Sequence, residues 1–279
     1  MSNQSVRDVQ QLNRLQTFFS SPARLVITYL AALLVAELVT THVDIALGLL
    51  VHAAILIMLL IHAAFLAETG GYAIIVSLIV APLIRLLSLT LPLTLFEQKY
   101  WYLIVSVPLF IAAFTAMRLL KYTPADVGLN LNMPLYQFFV ALTGIFFGVT
   151  EFVVLRVEPL IDEVTFFNVA VAIFTLLIGT GLIEELAFRG IMQRASEDLL
   201  GRWGSIMYSA TAFTIMHIGW QSALDLAFVF VAGVWWGYVF ARTRSIIGIT
   251  FAHALTNVML FVVLPLAVPP DFTLTPIIR

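Results

Sequence analysis

Nine apolar runs, each bounded by a few polar, glycine or proline residues, take up most of this chain. They lie at about 24–41, 45–67, 72–96, 101–120, 137–155, 165–192, 204–219, 222–241 and 245–266. A helix needs roughly 20 apolar residues to cross the hydrocarbon of a bilayer. Most of the runs meet that length. Composition agrees: 61% of the 279 residues are hydrophobic and 11% are charged, against about 25% charged in soluble domains. A chain of this size cannot hide so much apolar surface from water, so its solvent is lipid. The expected fold is an all-α, polytopic transmembrane bundle of eight to nine spans. The 204–219 run is short for a crossing. Either neighbouring helices shield it, or it extends back through the polar stretch before it.

A net charge of −2 argues against a nucleic-acid partner. With no cysteine, disulfides, thiolate catalysis and cysteine-based metal sites are excluded. The polar first twenty residues predict no cleavable signal peptide. Within them Val6, Val9, Leu12, Leu15 and Phe19 recur at spacings of three or four, interrupted by Arg7, Asp8 and Arg14. That pattern fits an amphipathic helix on the membrane surface or a frayed arm. The stretch KYTPADVGLNLNMPLY, residues 121–136, is the most loop-like. The expected organisation is an interfacial or cytoplasmic segment 1–22, a four-helix membrane region 23–136 and a membrane core 137–279.

Lysine and arginine decide orientation. With nine spans and a cytoplasmic N-terminus, the cytoplasmic segments hold Arg7, Arg14, Arg24, Arg118, Lys121, Arg194, Arg202, Arg242 and Arg244. The outer segments hold Lys99, Arg156 and Arg279, and Arg85 and Arg189 lie within spans. The chain is thus expected to be an integral multi-pass protein of the cell membrane, with lipid as one partner.

Against this background the stretch GLIEELAFRG, residues 181–190, stands out, because residues 164–183 carry no formal charge. Glu184 lies about nine residues inside the cytoplasmic end of its span, or about 13 Å deep at 1.5 Å per residue. A carboxylate near the centre of a bilayer costs roughly 2.5–3.5 kcal/mol on insertion scales, so such residues face the bundle interior. Glu185 and Arg189 are i,i+4 neighbours in the favourable order for an ion pair. Glu184 points about 100° away, beside Thr180, Gly181 and Ala187, whose small side chains leave room for a water, another helix or a substrate backbone. Glu185–Arg189 reads as a bracing pair and Glu184 as the carboxylate left for chemistry. The bland alternative is that all three snorkel at the lipid–water boundary.

Two further stretches bear on that choice. AFTIMH puts His217 four residues after Phe213, and FAHALTN puts His253 and Asn257 four apart on one helical face. A lone histidine in such a span is most simply an interhelical hydrogen bond. Here a carboxylate, two imidazoles and an amide fall in three of the last four spans. That set contains a base, electrophilic donors and a possible metal shell.

EELAFR, FTIMH and HALTN, in this order and spacing, resemble the EExxxR, FxxxH and HxxxN motifs of the type II CAAX prenyl endopeptidases and the related bacterial abortive-infection and bacteriocin-processing proteins. The resemblance covers roughly residues 165–262. It implies an intramembrane endopeptidase with a conical cavity open to the cytosol. Carried over by motif position, Glu184 would be the base and His217 would help hold and activate water. His253 and Asn257 would stabilise the oxyanion. Glu185 and Arg189 would shape the site or touch the substrate, and Phe213 belongs to the same site-shaping set. The implied substrate is a membrane-associated peptide or lipidated protein, prenylated in the CAAX enzymes.

The chemistry stands beside the resemblance. Water deprotonated by a carboxylate and oriented by an imidazole can attack a peptide carbonyl, and the amide of Asn257 and an N–H of His253 can receive the negative charge that develops. No cofactor is needed. The alternative is zinc on Glu184, His217 and His253, although HExxH is absent and no two of these ligands share a helix. Two other functions use the same residues: a proton-coupled transporter, and a catalytically silent immunity or scaffold protein.

Among the remaining polar residues, His42, His52 and His62 do not share a ligand face and are expected to make interhelical hydrogen bonds. Arg85 needs a partner, for which Glu37 is a candidate. Glu151 either pairs elsewhere or sits at the outer interface, and Asp225 reads as a helix cap or boundary residue. Trp101, Tyr102, Trp220 and the pair Trp235–Trp236 read as interfacial anchors or packing.

Overall fold

The computed structural model describes residues 22–66 and 71–268. The amphipathic pattern of residues 5–20 lies outside the described residues. The described residues form helices and connections, with no strand among them. In chain order the helices are α1 (Pro22–His42), α2 (Ile45–Phe65), α3 (Tyr72–Thr90), α4 (Trp101–Leu119), α5 (Pro134–Leu155), α6 (residues 166–193), α7 (Arg194–Ile215), α8 (Ala223–Thr243) and α9 (Ile247–Ala267). Eight helical stretches are long and apolar enough to cross a membrane. The sixth, Phe166–Trp220, is 55 residues long and breaks at Gly201, whose φ of 68° and ψ of 176° are not helical. Beyond that break the chain doubles back, because the Ser209 hydroxyl donates to the Phe188 carbonyl at 2.6 Å. The break at Gly201 separates the short 204–219 run from the polar stretch before it, so the run does not extend back through that stretch; neighbouring helices shield it instead, with Ile206, Tyr208, Ser209, Ala210, Ala212 and Phe213 buried.

Local chemistry sets the boundaries. The run at 72–96 stops as a helix at Thr90 because Pro92 follows. The residue before a proline is driven out of the α region, and Leu91 is extended with ψ 142°. Asp44, Thr165 and Ser222 cap α2, α6 and α8 through side chains that accept from backbone N–H groups.

Helix faces divide between lipid and protein. In α5, Gln137, Val140, Gly144, Gly148 and Glu151 are buried at spacings of three and four, while Phe138, Phe139 and Phe146 are exposed. The buried face lies against α9 at very close range. A Cβ placed on Gly144 would lie 2.0 Å from the Ala252 carbonyl oxygen. Small residues let membrane helices approach in this way, since lipid gives no hydrophobic push between them. Gly144→Ala is expected to force α5 off α9 and to cost about 1–3 kcal/mol, the usual range for overpacking. Thermal unfolding of the detergent-purified protein measures it.

The N-terminal helices are tied to the rest by a buried charge cluster. Arg85 on α3 donates from Nε to Glu37 of α1 at 2.8 Å, and its Nη2 lies 2.8 Å from the other Glu37 oxygen. His52 of α2 sits 3.3 Å from the same carboxylate. Arg85 Nη2 also donates to the Met216 carbonyl at 2.8 Å. Arg85 thus does pair with Glu37, and His62 makes the expected contact between helices, with the Tyr29 hydroxyl at 3.0 Å, whereas neither ring nitrogen of His52 makes a hydrogen bond.

Connections gather at two ends of the bundle. At one end the segments around 120–133, 194–202 and 244–246 meet. Arg244 reaches Glu197 at 2.6 Å, Asn130 donates to the Arg244 carbonyl at 2.7 Å, and Arg194 lies over the Tyr122 ring. Arg24, Arg118, Lys121, Arg194, Arg202, Arg242 and Arg244 belong to this basic end. At the opposite end, Lys99 donates to Asn168 at 2.8 Å and Leu160 N–H donates to the Phe261 carbonyl. Lys99 and Arg156 are the lysine and arginine of that end among the described residues, beside Asp44, Glu97, Glu158, Asp162 and Glu163.

Candidate active site

Glu184 and Glu185 occupy a single α-helical turn, Ile183–Glu185, between two wider π-type windings at Leu177–Leu182 and Leu186–Gln193. Such windings shift the side-chain register of a helix and recur at functional sites. Here they leave the two adjacent carboxylates in different surroundings. The Glu184 side chain keeps 26% of its exposure, and that of Glu185 keeps none.

Glu185 is the hub of a buried network. Its Oε1 accepts from Arg189 Nη1 at 3.0 Å and lies 2.9 Å from His253 Nδ1. The Arg189 guanidinium is fully buried, 4.4 Å from the Phe213 ring centroid and 5.4 Å from that of Trp236. Phe213 in turn packs against the rings of both His217 and His253, and Trp236 stacks on His253 at 4.8 Å. The desolvated guanidinium has two aromatic faces and a carboxylate beside it, while its Nε and Glu185 Oε2 make no hydrogen bond. Glu185, Arg189 and Phe213 therefore brace the two imidazoles from behind.

Partner chemistry fixes the tautomers. A carboxylate or carbonyl oxygen only accepts. His253 Nδ1 faces Glu185, and His217 Nδ1 faces the Phe213 carbonyl at 2.9 Å, so both carry their proton on Nδ1. Both rings then present Nε2 forward. His253 Nε2 lies 3.9 Å from Glu184 Oε2. Asn257 donates from Nδ2 to the Thr180 hydroxyl at 2.9 Å, and that hydroxyl donates onward to the Leu176 carbonyl. The chain of donors orients the Asn257 amide and leaves its second N–H unused.

Glu184, His217, His253 and Asn257, spread over 74 sequence positions, line one cavity of about 340 Å³. The room expected beside Glu184 is filled on the Gly181 side by a helix: a Cβ there would come 2.9 Å from the Thr250 carbonyl of α9. On the Thr180 and Ala187 side it opens into the cavity. Among the described residues no three histidine, aspartate or glutamate side chains are grouped closely enough to hold a metal ion. Glu184, His217 and His253 share the space without forming a ligand cage, so no step through zinc is derived.

Residues 166–259 match the family model described as "Type II CAAX prenyl endopeptidase Rce1-like". The chain carries an Rce1-like region. That region contains Glu184, His217, His253 and Asn257 and leaves residues 1–165 outside it. The match covers 94 of the chain's 279 residues. With eight helices of crossing length among the described residues, the chain is an integral multi-pass membrane protein. Among curated proteins and among solved structures, no match to the chain was found.

Several cavity residues lie outside the Rce1-like region. Arg85, Trp101, Tyr102 and Glu151 line the cavity from outside that region, and Trp220 lines it from the α7–α8 turn within it. Glu151 is buried on the α5 face with its carboxyl toward this space. The signal was present in the sequence: Glu151 falls seven residues after Gly144 and three after Gly148, so it shares their close-packing face. Asp225 stands in the first turn of α8, and the Ser222 cap accepts from its N–H, but its carboxylate is fully buried.

Two expectations about the cavity conflict. The resemblance implies a mouth on the cytosol, and the lysine and arginine distribution puts the basic end there. The connection residues in the lining, Leu93, Gln98, Met216, His217 and Trp220, all come from the other end. Those two expectations cannot both hold for this chain.

Proposed function

We propose that the chain is an intramembrane endopeptidase that hydrolyses a peptide bond of a membrane-associated substrate, with Glu184 as the base. The observation that carries this reading is the convergence of Glu184, His217, His253 and Asn257 on one cavity. A water held between the Glu184 carboxylate and His217 Nε2 gives its proton to Glu184 as its oxygen bonds to the carbonyl carbon. The carbonyl electrons move onto oxygen, where the free N–H of Asn257 receives them, joined by His253 Nε2–H in its imidazolium form. As the C–N bond breaks, the proton on Glu184 passes to the leaving amine. Glu185 and Arg189 hold the His253 ring, and Phe213 with the Arg189 guanidinium holds that of His217. They act through those rings and do not touch substrate.

No metal enters this scheme. The purified protein is expected to release new C-termini from membrane-protein fractions in the presence of a strong chelator, read by mass spectrometry. Stoichiometric zinc whose removal ends cleavage would overturn the metal-free version. Proton flux in liposomes without any peptide release would instead favour a transporter. Binding that persists without any cleavage would favour a silent scaffold.

A further inference from the structure

We infer that the cavity takes its peptide from the side of the membrane opposite the cytoplasm, so that the substrate is a segment already exposed on, or carried to, the outer face. That peptide is the ligand rests on the peptidase reading. The direction rests on geometry alone.

Three observations meet here. First, the cavity runs from mid-bundle, at Ala187, Phe188 and His253, to one end. Ser88 lies near the C-terminal end of α3, Trp101 and Tyr102 open α4, and Glu151 is near the end of α5. Leu93, Gln98, Met216 and Trp220 come from the connections of that same end. Among the described residues, no lining residue comes from the basic-end segments 120–133, 194–202 or 244–246.

Second, the basic end is plugged directly beneath the site. The 121–133 connection tucks inward, with Val127 fully buried. Its carbonyl would lie 2.7 Å from a Cβ on Gly190. Gly190 is six residues beyond Glu184, about 9 Å along a helix. The plug is stapled in place: Ile246 N–H donates to the Gly128 carbonyl at 2.9 Å, the Ser245 hydroxyl to the Asn130 carbonyl, and Asn130 to Arg244. Between plug and cavity lies the dry Glu185–Arg189 network. A peptide coming from the basic end would have to break all of these contacts.

Third, the charge asymmetry says which end is which. Seven lysines and arginines among the described residues belong to the basic end and two to the other. Such an excess marks the cytoplasmic side. A cavity open at the opposite end therefore faces outward. Substrates modified and retained in the cytosol would meet its closed floor.

The absence of cysteine makes the test direct. Single cysteines replace Gln98 at the rim, Ser88 in the cavity wall and Asp198 at the basic end, in the full chain in intact cells. The probe is a charged, membrane-impermeant maleimide. Q98C and S88C are expected to label in intact cells, and D198C only after the membrane is disrupted. Labelling of D198C alone in intact cells, with S88C and Q98C reached only from inside, would overturn the inference by turning the cavity to the cytosol. Labelling of Q98C without S88C from outside would overturn it too, because the cavity would then be closed to water on that face. Neither result depends on cleavage, so loss of the peptidase reading would register separately.

Discussion

Glu184→Gln is expected to lower the rate of peptide cleavage by about 10²–10⁴-fold, the range spanned by general acid–base catalysis, with folding intact. Glutamine keeps the size of the side chain and removes the base. The substitution is mild for the scaffold because Glu184 is the partly exposed member of the pair and braces nothing: its nearest charged neighbour is His253 Nε2, at 3.9 Å. Substrate binding should change little, so the loss should fall on kcat while KM holds. Single-turnover cleavage by purified protein, with thermal unfolding as the control, measures both. Full activity in this variant would remove Glu184 from the chemistry and leave the proposed mechanism without a base.

The second large effect is on stability. Arg189→Met should destabilise the protein by about 3–5 kcal/mol, the cost of leaving one partner of a buried ion pair uncompensated. Methionine fills much of the space between Phe213 and Trp236 but strands the Glu185 carboxylate, which has no exposure. His253 would remain its contact, at 2.9 Å. The double variant Glu185→Leu with Arg189→Met removes both charges and is expected to recover much of the stability without recovering activity, because His253 loses the group that orients it. Equilibrium unfolding in mixed micelles separates the two variants. Equal stability of Arg189→Met and the wild type would mean that the guanidinium is not needed beneath the site.

The contrast between these two predictions follows from how differently adjacent glutamates are housed, and that contrast was legible in the chain. Spacing alone paired Glu185 with Arg189 and set Glu184 apart, since i,i+4 contacts depend on helix geometry and nothing else. The apolar runs gave the helices because lipid demands internally bonded backbone. Residue spacing was silent where an arrangement depends on contacts between distant helices. Trp236 stacking on His253 joins α8 to α9, and Arg85 reaching the Met216 carbonyl joins α3 to the end of α7. Neither leaves a periodic trace. The π-type windings in α6 and the break at Gly201 likewise leave no periodic signal in the apolar runs. Residue spacing was silent too on the fold of the 121–133 connection into the bundle, since that fold depends on tertiary hydrogen bonds rather than on loop-like composition.

Arg85 has a bearing on how such a chain can be re-engineered. The guanidinium joins α1 and α3 to the backbone immediately before His217, so the amino-terminal helices are not a detachable vestibule. Transplanting residues 166–267 onto a foreign set of leading helices would leave the Met216 carbonyl without its donor and the turn holding His217 free to drift. A working chimera has to bring an arginine to that spot together with an acid to neutralise it.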